Sequence, residues 1–336
     1  MILGNVDLSK QRIIVAEIGN NHEGNFDVAC DLVRKAAECG VDAVKFQTFR
    51  AEHYVSQSNT ARYNRLKSFE LNFSQFEYLA SLTHSLGLLF ISTPFDLSSA
   101  TFLEKIVDCY KISSGDNTFY PLLAQVAKTG KPLILSTGLS DLSQISRAID
   151  FVEKEWDQCN IPGQMAILHC VSCYPVPPEQ INLSAISILL KQFNCIVGFS
   201  DHVQGIEAAV LAVALGARII EKHFTLDKFY SDFRDHQLSA DPLEMKELVK
   251  RIRLASAMIG EPKKIVQPCE EGLDKEFRRS IVAGKDMLKG HKIDWQDITW
   301  IRPPGGLAPG NEHLLLGKAL KRDIRFGEQL LISDVE

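Results

Sequence analysis

The chain has 336 residues, of which 45% are hydrophobic and 24% are charged, and these values are typical of an ordered globular protein with one large and one small domain. The formal net charge is −5 and no run of lysine or arginine exceeds two residues, so we expect no nucleic-acid partner. No signal-peptide pattern is present, and the longest apolar run, residues 208–215, is too short to span a bilayer. We therefore expect a cytoplasmic protein without a membrane segment.

From residue 13 onward, short apolar runs alternate with segments whose apolar residues have helical spacing. The runs predict eight strands, at residues 13–19, 43–48, 88–93, 109–114, 133–137, 165–171, 196–199 and 218–224. The helical spacing predicts helices at residues 26–39, 74–86, 98–106, 121–128, 142–156, 183–192, 206–215 and 243–259. Residues 50–73 form a longer insertion after the second strand.

Eight strands with intervening helices, and a final helix after the eighth, predict a (β/α)8 barrel. A doubly wound open sheet is the alternative. It is disfavoured because no GxGxxG follows the first strand, and because polar residues end almost every strand rather than clustering at one switch point.

The composition changes after Gly260, where residues 261–275 are rich in proline and charge. We predict a barrel domain at residues 1–260, a linker at 261–276 and a small β-rich domain at 277–336. Within the last, residues 285–290 recur in outline at 322–327, and each copy is predicted to be a short strand with a glycine turn. A domain of about 60 residues has a marginal core, so we expect it to rest on a partner surface.

Two neighbouring strands end in polar sequences that contain a histidine. His202 follows Asp201 after the seventh strand, and His223 follows Glu221 in the eighth. Because parallel strands joined by a helix point the same way, these groups are expected side by side. Histidines and carboxylates suit a divalent metal, so we predict a metal site at His202 and His223. The alternative is that both histidines only cap strands and bond backbone groups.

Lys45 and Lys111 lie within otherwise apolar strands, where a lysine is costly unless it meets an anion. Hydroxyl residues are predicted at neighbouring strand ends, namely Thr93, Ser114 and Ser136. Together these groups predict a cradle for a phosphate or carboxylate. The alternative is that both lysines form structural ion pairs with Glu17 and Glu221.

Eight segments, in chain order, carry a resemblance to a known family: AEIGNNHEG, KFQTF, ISTPFD, YKISSGD, LSTG, HCVSCYP, GFSDH and EKHFTLDK. In these segments the chain resembles the sialic acid synthases, which condense phosphoenolpyruvate with a hexose-like aldehyde to form nine-carbon 2-keto sugar acids. The C-terminal region is similar to the antifreeze-like (SAF) domain of that family.

The resemblance implies roles for individual residues. It makes His202 and His223 the ligands of a divalent ion, with manganese expected and magnesium or cobalt as alternatives. The residues it places at phosphoenolpyruvate are Lys45, Thr93, Lys111, Ser114 and Ser136. The residues it places at the sugar are Glu17, Tyr174, Asp235 and, from the tail domain, Arg302. Gln47, at the end of the second strand, is a further expected substrate-binding residue.

Three departures from the family pattern bear on the identity of the sugar. Asp116, a candidate catalytic carboxylate, stands where the family usually has glutamate. Ser172, an expected substrate-binding residue, stands where some members have asparagine. Residues 229–235 lack the common Gly-Pro-Asp sequence and are one residue longer.

The implied reaction joins C3 of phosphoenolpyruvate, held by Lys45 and Lys111, to the aldehyde carbon of an N-acylated hexosamine such as N-acetylmannosamine or a 2,4-diacetamido-trideoxyhexose. The divalent ion polarises the aldehyde, Asp116 or Glu17 assists the addition of water, and phosphate leaves by C–O cleavage. The resemblance also implies a homodimer in which each tail covers the partner's barrel. The alternatives are a seven- or eight-carbon keto-acid synthase of related chemistry and a catalytically silent carbohydrate-binding barrel.

Overall fold

The computed structural model describes residues 1–336 and contains two compact units, Met1–Gly260 and Glu261–Glu336. In the first unit eight parallel strands close into a barrel. In the second unit two strands pair antiparallel. The predicted (β/α)8 barrel followed by a small β-containing domain is confirmed. No helix is both long enough and apolar enough to cross a membrane.

The barrel strands pair in chain order, and the last strand closes the ring by pairing with the first at Ile219 and Ile13. A two-stranded hairpin of β1 (Ile2–Leu3) and β2 (Val6–Asp7) precedes the ring. The barrel strands are β3 (Ile13–Gly19), β4 (Ala43–Thr48), β5 (Leu89–Pro94), β6 (Cys109–Ile112), β7 (Leu133–Ser136), β8 (Met165–His169), β9 (Ile196–Asp201) and β10 (Ile219–His223).

All eight helices predicted between and after the strands are present, the first with the predicted ends and the others with shifted ends, and three further α-helices occur in the first unit. The helices of this unit are α1 (Phe26–Cys39), α2 (Ala51–Tyr54), α3 (Thr60–Phe69), α4 (Phe73–Ser85), α5 (Leu97–Leu103), α6 (Tyr120–Lys128), α7 (Leu142–Cys159), α8 (Ala185–Gln192), α9 (Glu207–Ala214), α10 (Arg234–Leu238) and α11 (Pro242–Ile259). The three additional helices are α2 and α3, in the insertion, and α10, after the last barrel strand.

The barrel interior is apolar at one end and polar at the other because side chains alternate along each strand. Ile13 and Val15 of β3 pack in one apolar cluster with interior residues of other strands and with Leu3 and Leu8 from the N-terminal segment. Two positions further along the same face of β3 lies Glu17. The apolar layers therefore fill the amino end of the barrel, and interior polar groups gather at its carboxyl end.

The second unit begins at Glu261 and contains α12 (Asp274–Phe277), which starts within the segment predicted as a linker and ends one residue beyond it, followed by β11 (Ser280–Ala283) and β12 (Ile298–Ile301). The two sequence copies meet at one antiparallel bridge, between Met287 and Ile324, so the prediction of a strand in each copy is wrong in extent. The predicted glycine turns are confirmed, since Gly290 and Gly327 have φ of +83° and +76°.

Candidate functional site

A cavity of about 640 Å³ opens at the carboxyl ends of the barrel strands. Its lining includes all of the predicted barrel site residues except Asp116. These residues are Glu17, Lys45, Gln47, Thr93, Lys111, Ser114, Ser136, Ser172, Tyr174, His202, His223 and Asp235. The position at the carboxyl ends of the strands is the usual site of binding and catalysis in this fold.

The deepest charged groups form a buried cluster around Lys45. Its Nζ lies 2.7 Å from Glu17 Oε2 and 3.7 Å from Glu221 Oε2, and it donates a hydrogen bond of 3.2 Å to Thr93 Oγ1. Gln47 Nε2 donates to Glu17 Oε1 at 3.1 Å. The ion-pair alternative for Lys45 is therefore what the structure shows.

Opposite pKa shifts separate the two carboxyls that flank Lys45. Burial raises the pKa of Glu17 above its usual value, and the charge of Glu221 adds to this rise while Lys45 opposes it. The pKa of Glu221 falls to about 2 although burial opposes the fall, because Lys111 and Lys45 attract its charge and Ser200 donates to it. Glu221 is thus the group whose ionised form is favoured, and Glu17 is the one whose protonated form is favoured relative to a free carboxyl.

Lys111 differs from Lys45 because no carboxylate oxygen lies within 4.0 Å of its Nζ. The ammonium donates to Ser136 Oγ at 2.6 Å and to Ile112 O at 3.1 Å. Burial lowers its pKa, and Glu221 partly opposes that shift. An ammonium group has three donors, so one hydrogen remains for an anion in the cavity. Of the two predicted lysines, Lys111 has the character expected of an anion-binding group.

The two predicted metal ligands lie side by side, with ring centroids 5.5 Å apart. His202 Nδ1 is 2.8 Å from Val171 O, and since a carbonyl only accepts, Nδ1 carries the hydrogen and Nε2 the lone pair. Ser200 Oγ lies 3.5 Å from Nε2 but donates its hydrogen to Glu221 Oε1 at 2.8 Å, so the lone pair stays available. His223 Nδ1 is buried without a hydrogen-bond partner. Burial lowers the pKa of His202 to about 4 and that of His223 to about 3. Both rings are therefore neutral at physiological pH, which is the form that binds metals.

This pair fits a divalent ion as two neutral nitrogen ligands. No group of three His, Cys, Asp or Glu side chains is arranged to hold an ion. The remaining ligands would have to be supplied by substrate oxygens and water, which is the arrangement of a catalytic rather than a structural metal site.

Tyr174 and Asp235 lie around the histidine pair. The Tyr174 ring is centred 4.2 Å from the His202 ring, and burial raises the pKa of its phenol, which therefore stays a hydrogen-bond donor. Asp235 is buried, and Arg234 Nε lies 3.3 Å from its Oδ1. The segment that carries Arg234 and Asp235 is held in place by the next residue, His236, whose Nε2 is 2.9 Å from Glu23 Oε1.

Two predicted site residues lie elsewhere. Asp116 is half-buried beside the cavity, where its Oδ2 accepts a hydrogen bond of 2.6 Å from Ser113 Oγ and burial raises its pKa. Arg302 belongs to the second unit, is exposed, and donates from Nε to Phe277 O at 2.7 Å. The reasons for predicting these two residues were the family resemblance and, for Asp116, its position after a strand.

Sequence reasoning missed three arginines of the cavity lining, Arg62, Arg65 and Arg234. Arg62 and Arg65 lie on α3, in the insertion at residues 50–73, for which the sequence pattern predicts no helix. A signal was available, because the insertion follows the carboxyl end of a barrel strand, where loops build the site. Arg234 directly precedes a predicted site residue, Asp235.

Comparison with protein families gives two matches that together cover most of the chain. The NeuB family model matches residues 32–264, and the SAF domain model matches residues 278–336. The chain belongs to the NeuB family. The predicted resemblance, including the C-terminal SAF domain, is confirmed.

Individual proteins agree with the family match. The chain is 39% identical to the N,N'-diacetyllegionaminic acid synthase of Legionella pneumophila, over 96% of this chain and 94% of that protein. It is 32% identical to the N-acetylneuraminate-9-phosphate synthase of Mus musculus, over 96% and 92% respectively. A crystal structure of the N-acetylneuraminic acid synthetase of Leptospira borgpetersenii, in complex with citrate, superposes with a TM-score of 0.76 at 34% identity, over 81% of this chain and 93% of that one.

The Lys45 cluster predicts a pH-dependent loss of stability. In Lys45→Met the carboxyls of Glu17 and Glu221 lose their shared cation, and breaking a buried pair costs about 3–5 kcal/mol of the free energy of unfolding. An unpaired buried carboxyl has a higher pKa in the folded protein than in the unfolded chain. The loss of unfolding free energy is therefore largest above the folded-state pKa, and it becomes smaller as the pH falls below that value.

Urea denaturation near pH 8 and near pH 5 measures this difference. Lys45→Met should lose more stability at the higher pH, and Lys45→Met/Glu17→Gln should recover part of it. Lys35→Met, which breaks an exposed pair with Glu38, is the control and should change stability little. An equal loss at both pH values would contradict the electrostatic account.

Proposed function

We propose that this NeuB-family chain is a nonulosonic acid synthase that condenses phosphoenolpyruvate with an N-acylated amino-sugar aldose and releases phosphate. One observation carries the proposal. A single cavity contains a lysine with a free donor, Lys111, and a pair of neutral histidines with available lone pairs, His202 and His223. An anionic substrate and a metal-bound carbonyl can thus be held side by side.

Phosphoenolpyruvate binds at the Lys111 side of the cavity in this proposal. Lys111 supplies one free N–H, and hydroxyls are available at Ser136, which accepts from Lys111, and at Ser114, which accepts from Gly138 N at 3.1 Å. Lys45 contributes mainly by offsetting the negative charge of Glu17 and Glu221, so that the negatively charged phosphoenolpyruvate can bind near them. Charge-assisted hydrogen bonds of this kind favour phosphate and carboxylate oxygens.

His202 and His223 would hold a divalent ion, with manganese as our first choice. When bound, such an ion supplies Lewis-acid polarisation of the aldehyde oxygen of the acceptor. The acceptor itself contacts the protein through Tyr174, which offers a phenolic donor, and through the carboxylate of Asp235. Gln47 and Glu17 complete the lining on the β3–β4 side.

In the reaction, C3 of phosphoenolpyruvate forms a bond to the aldehyde carbon, and water adds to C2. We assign Glu17, rather than Asp116, as the group that accepts the proton of this water. Glu17 lines the cavity and burial raises its pKa above the usual value, which makes it a better proton acceptor, whereas Asp116 does not line the cavity and its carboxylate accepts a hydrogen bond from Ser113. The proton taken up by Glu17 passes on to the aldehyde oxygen, which becomes a hydroxyl. The bond between C2 and the bridging oxygen then breaks, phosphate leaves with that oxygen and with the second proton of the water, and C2 becomes the ketone.

Incubation of the purified protein with phosphoenolpyruvate, manganese and a panel of acceptors tests the function. N-acetylmannosamine, its 6-phosphate and 2,4-diacetamido-trideoxyhexoses should release phosphate and give a nine-carbon 2-keto acid by mass spectrometry, and Lys111→Met should abolish this. A preference for four- or five-carbon phosphorylated aldoses would instead support the shorter keto-acid synthase. Release of no phosphate with any acceptor would contradict the proposal and favour a carbohydrate-binding barrel.

The metal assignment predicts a loss of binding that can be measured without turnover. His202→Gln and His223→Gln should each weaken manganese binding, measured by titration calorimetry, by about tenfold or more, because two protein ligands are too few to lose one. His53→Gln, which changes an exposed histidine on α2, is the matched control. Wild-type affinity in either cavity variant would refute the assignment.

We assign Arg302 to the sugar site of a second copy in a homodimer. Its support is an exposed guanidinium held by Phe277 O, together with the family resemblance. Co-refolding inactive His202→Ala with inactive Arg302→Ala should then restore activity, because one site of the mixed dimer has an intact barrel and an intact arginine.

A mixture of His202→Ala and His223→Ala is the control and should stay inactive, since every site in that dimer has a damaged barrel. If mixed dimers of the first kind form but remain as inactive as the parents, Arg302 does not act across subunits.

A further inference from the structure

The mouth of the cavity carries three arginines, and neither the proposed phosphoenolpyruvate site nor the metal pair uses them. Arg62 and Arg65 come from α3 and Arg234 comes from the start of α10. Residues three apart on a helix share a face, so α3 presents both of its arginines to the same side. Two separate chain segments thus bring guanidinium groups to one opening.

The charges around these arginines do not cancel. Arg234 pairs with Asp235, at 3.3 Å. Arg62 and Arg65 have no carboxylate oxygen within 4.0 Å, and the only other acidic residue of the lining near this segment is Asp232. Deeper in the cavity, Lys45 is already matched by Glu17 and Glu221. The excess positive charge of the lining therefore lies at its mouth.

Aromatic rings position two of the three guanidinium groups. Arg234 Cζ lies 4.8 Å from the centre of the Tyr174 ring, which in turn lies 4.2 Å from the His202 ring. Arg62 Cζ lies 5.7 Å from the centre of the Tyr54 ring, which stacks on Phe95. Stacking on a ring leaves the edge of a guanidinium free to donate in its plane. The guanidinium of Arg234 is thus one aromatic layer further out than His202.

This placement matches the far end of a bound acceptor. If the aldehyde end lies at His202 and His223, the rest of the sugar chain must extend toward the mouth, because the amino end of the barrel is filled by apolar side chains. A neutral hydroxyl or methyl group at the far end would leave Arg62 and Arg65 without a carboxylate or other anionic partner, while Arg234 would keep only Asp235. A phosphate would match their planar donors, which suit bidentate contacts to phosphate and carboxylate oxygens.

We propose that Arg62, Arg65 and Arg234 form a subsite for a negatively charged group, such as a phosphate monoester, on the acceptor carbon farthest from the aldehyde. The inference rests on the proposed synthase function and narrows its substrate class to anionic acceptors. A carboxylate at the same carbon is also negatively charged and can also accept two hydrogen bonds from a guanidinium group, so the test includes a phosphate and a carboxylate.

The test compares kcat/KM for N-acetylmannosamine, its 6-phosphate and the corresponding uronate, with phosphoenolpyruvate saturating. Wild type should prefer a charged acceptor over the neutral one by about tenfold or more, as expected for charge-assisted hydrogen bonds. In Arg62→Gln/Arg65→Gln and in Arg234→Gln this preference should fall toward one, while KM for phosphoenolpyruvate stays near its wild-type value. Whichever of the 6-phosphate and the uronate has the higher kcat/KM identifies the charged group that the subsite binds.

Lys67→Gln is the matched control, because Lys67 is a cation on the same helix that pairs with Glu52 and Glu70 and does not line the cavity. It should keep the wild-type preference, and thermal unfolding should show that all variants are folded. Equal or better use of the neutral acceptor, or a rise in KM for phosphoenolpyruvate alone, would overturn the subsite. Absence of turnover with every acceptor would instead overturn the synthase function itself.

Discussion

The ammonium group of Lys45, held between two buried carboxylates, is the constraint on which the site depends. A buried charge is costly unless opposite charges or hydrogen bonds compensate it. Here Glu17 and Glu221 reach Lys45 from β3 and β10, the two strands that close the ring, while Lys45 itself comes from β4. The cluster therefore links the two strands that close the barrel and also lies at the bottom of the cavity.

The same cluster gives the two lysines different surroundings: Lys45 pairs with carboxylates, and Lys111 does not. Because Lys45 pairs with both carboxylates, Lys111 keeps a donor for an anion; the pKa of Glu221 is lowered by the two lysines, while burial raises the pKa of Glu17. His202 and His223 lie at the ends of the neighbouring strands and are kept neutral by burial. The proposed anion, metal and proton-transfer roles thus all rest on one arrangement of strand ends. The proposed acceptor subsite rests instead on arginines outside the strands.

Much of this arrangement could be predicted from the sequence because it depends on strand periodicity. Lys45, Lys111, His202 and His223 stand out as polar residues in apolar strands, and the order of the strands brings them together. Which lysine is neutralised could not be predicted, since that depends on side-chain distances across strands distant in sequence. The resemblance supplied the remaining residue roles.

Loop-borne parts of the site were harder to predict for a physical reason. Helix α3 has no pronounced apolar face, so Arg62 and Arg65 gave no periodic signal of where they point. Asp116 was expected in the cavity, but the chain turns into a 3-10 helix after β6 and its carboxylate bonds Ser113 instead. In the second unit, the internal repeat correctly indicates two glycine turns. The two copies pair at a single bridge, and a sequence pattern does not define which residues of two distant segments pair.

The account depends most directly on water adding to carbon rather than to phosphorus, because Glu17 is assigned to a water at C2 of phosphoenolpyruvate. Turnover of phosphoenolpyruvate labelled with heavy oxygen at the bridging position measures this. The account predicts that the label leaves with inorganic phosphate, seen as a mass shift of phosphate and an unlabelled keto acid. Label retained in the keto acid would mean that the phosphorus–oxygen bond breaks, and it would contradict the assigned chemistry of the cavity.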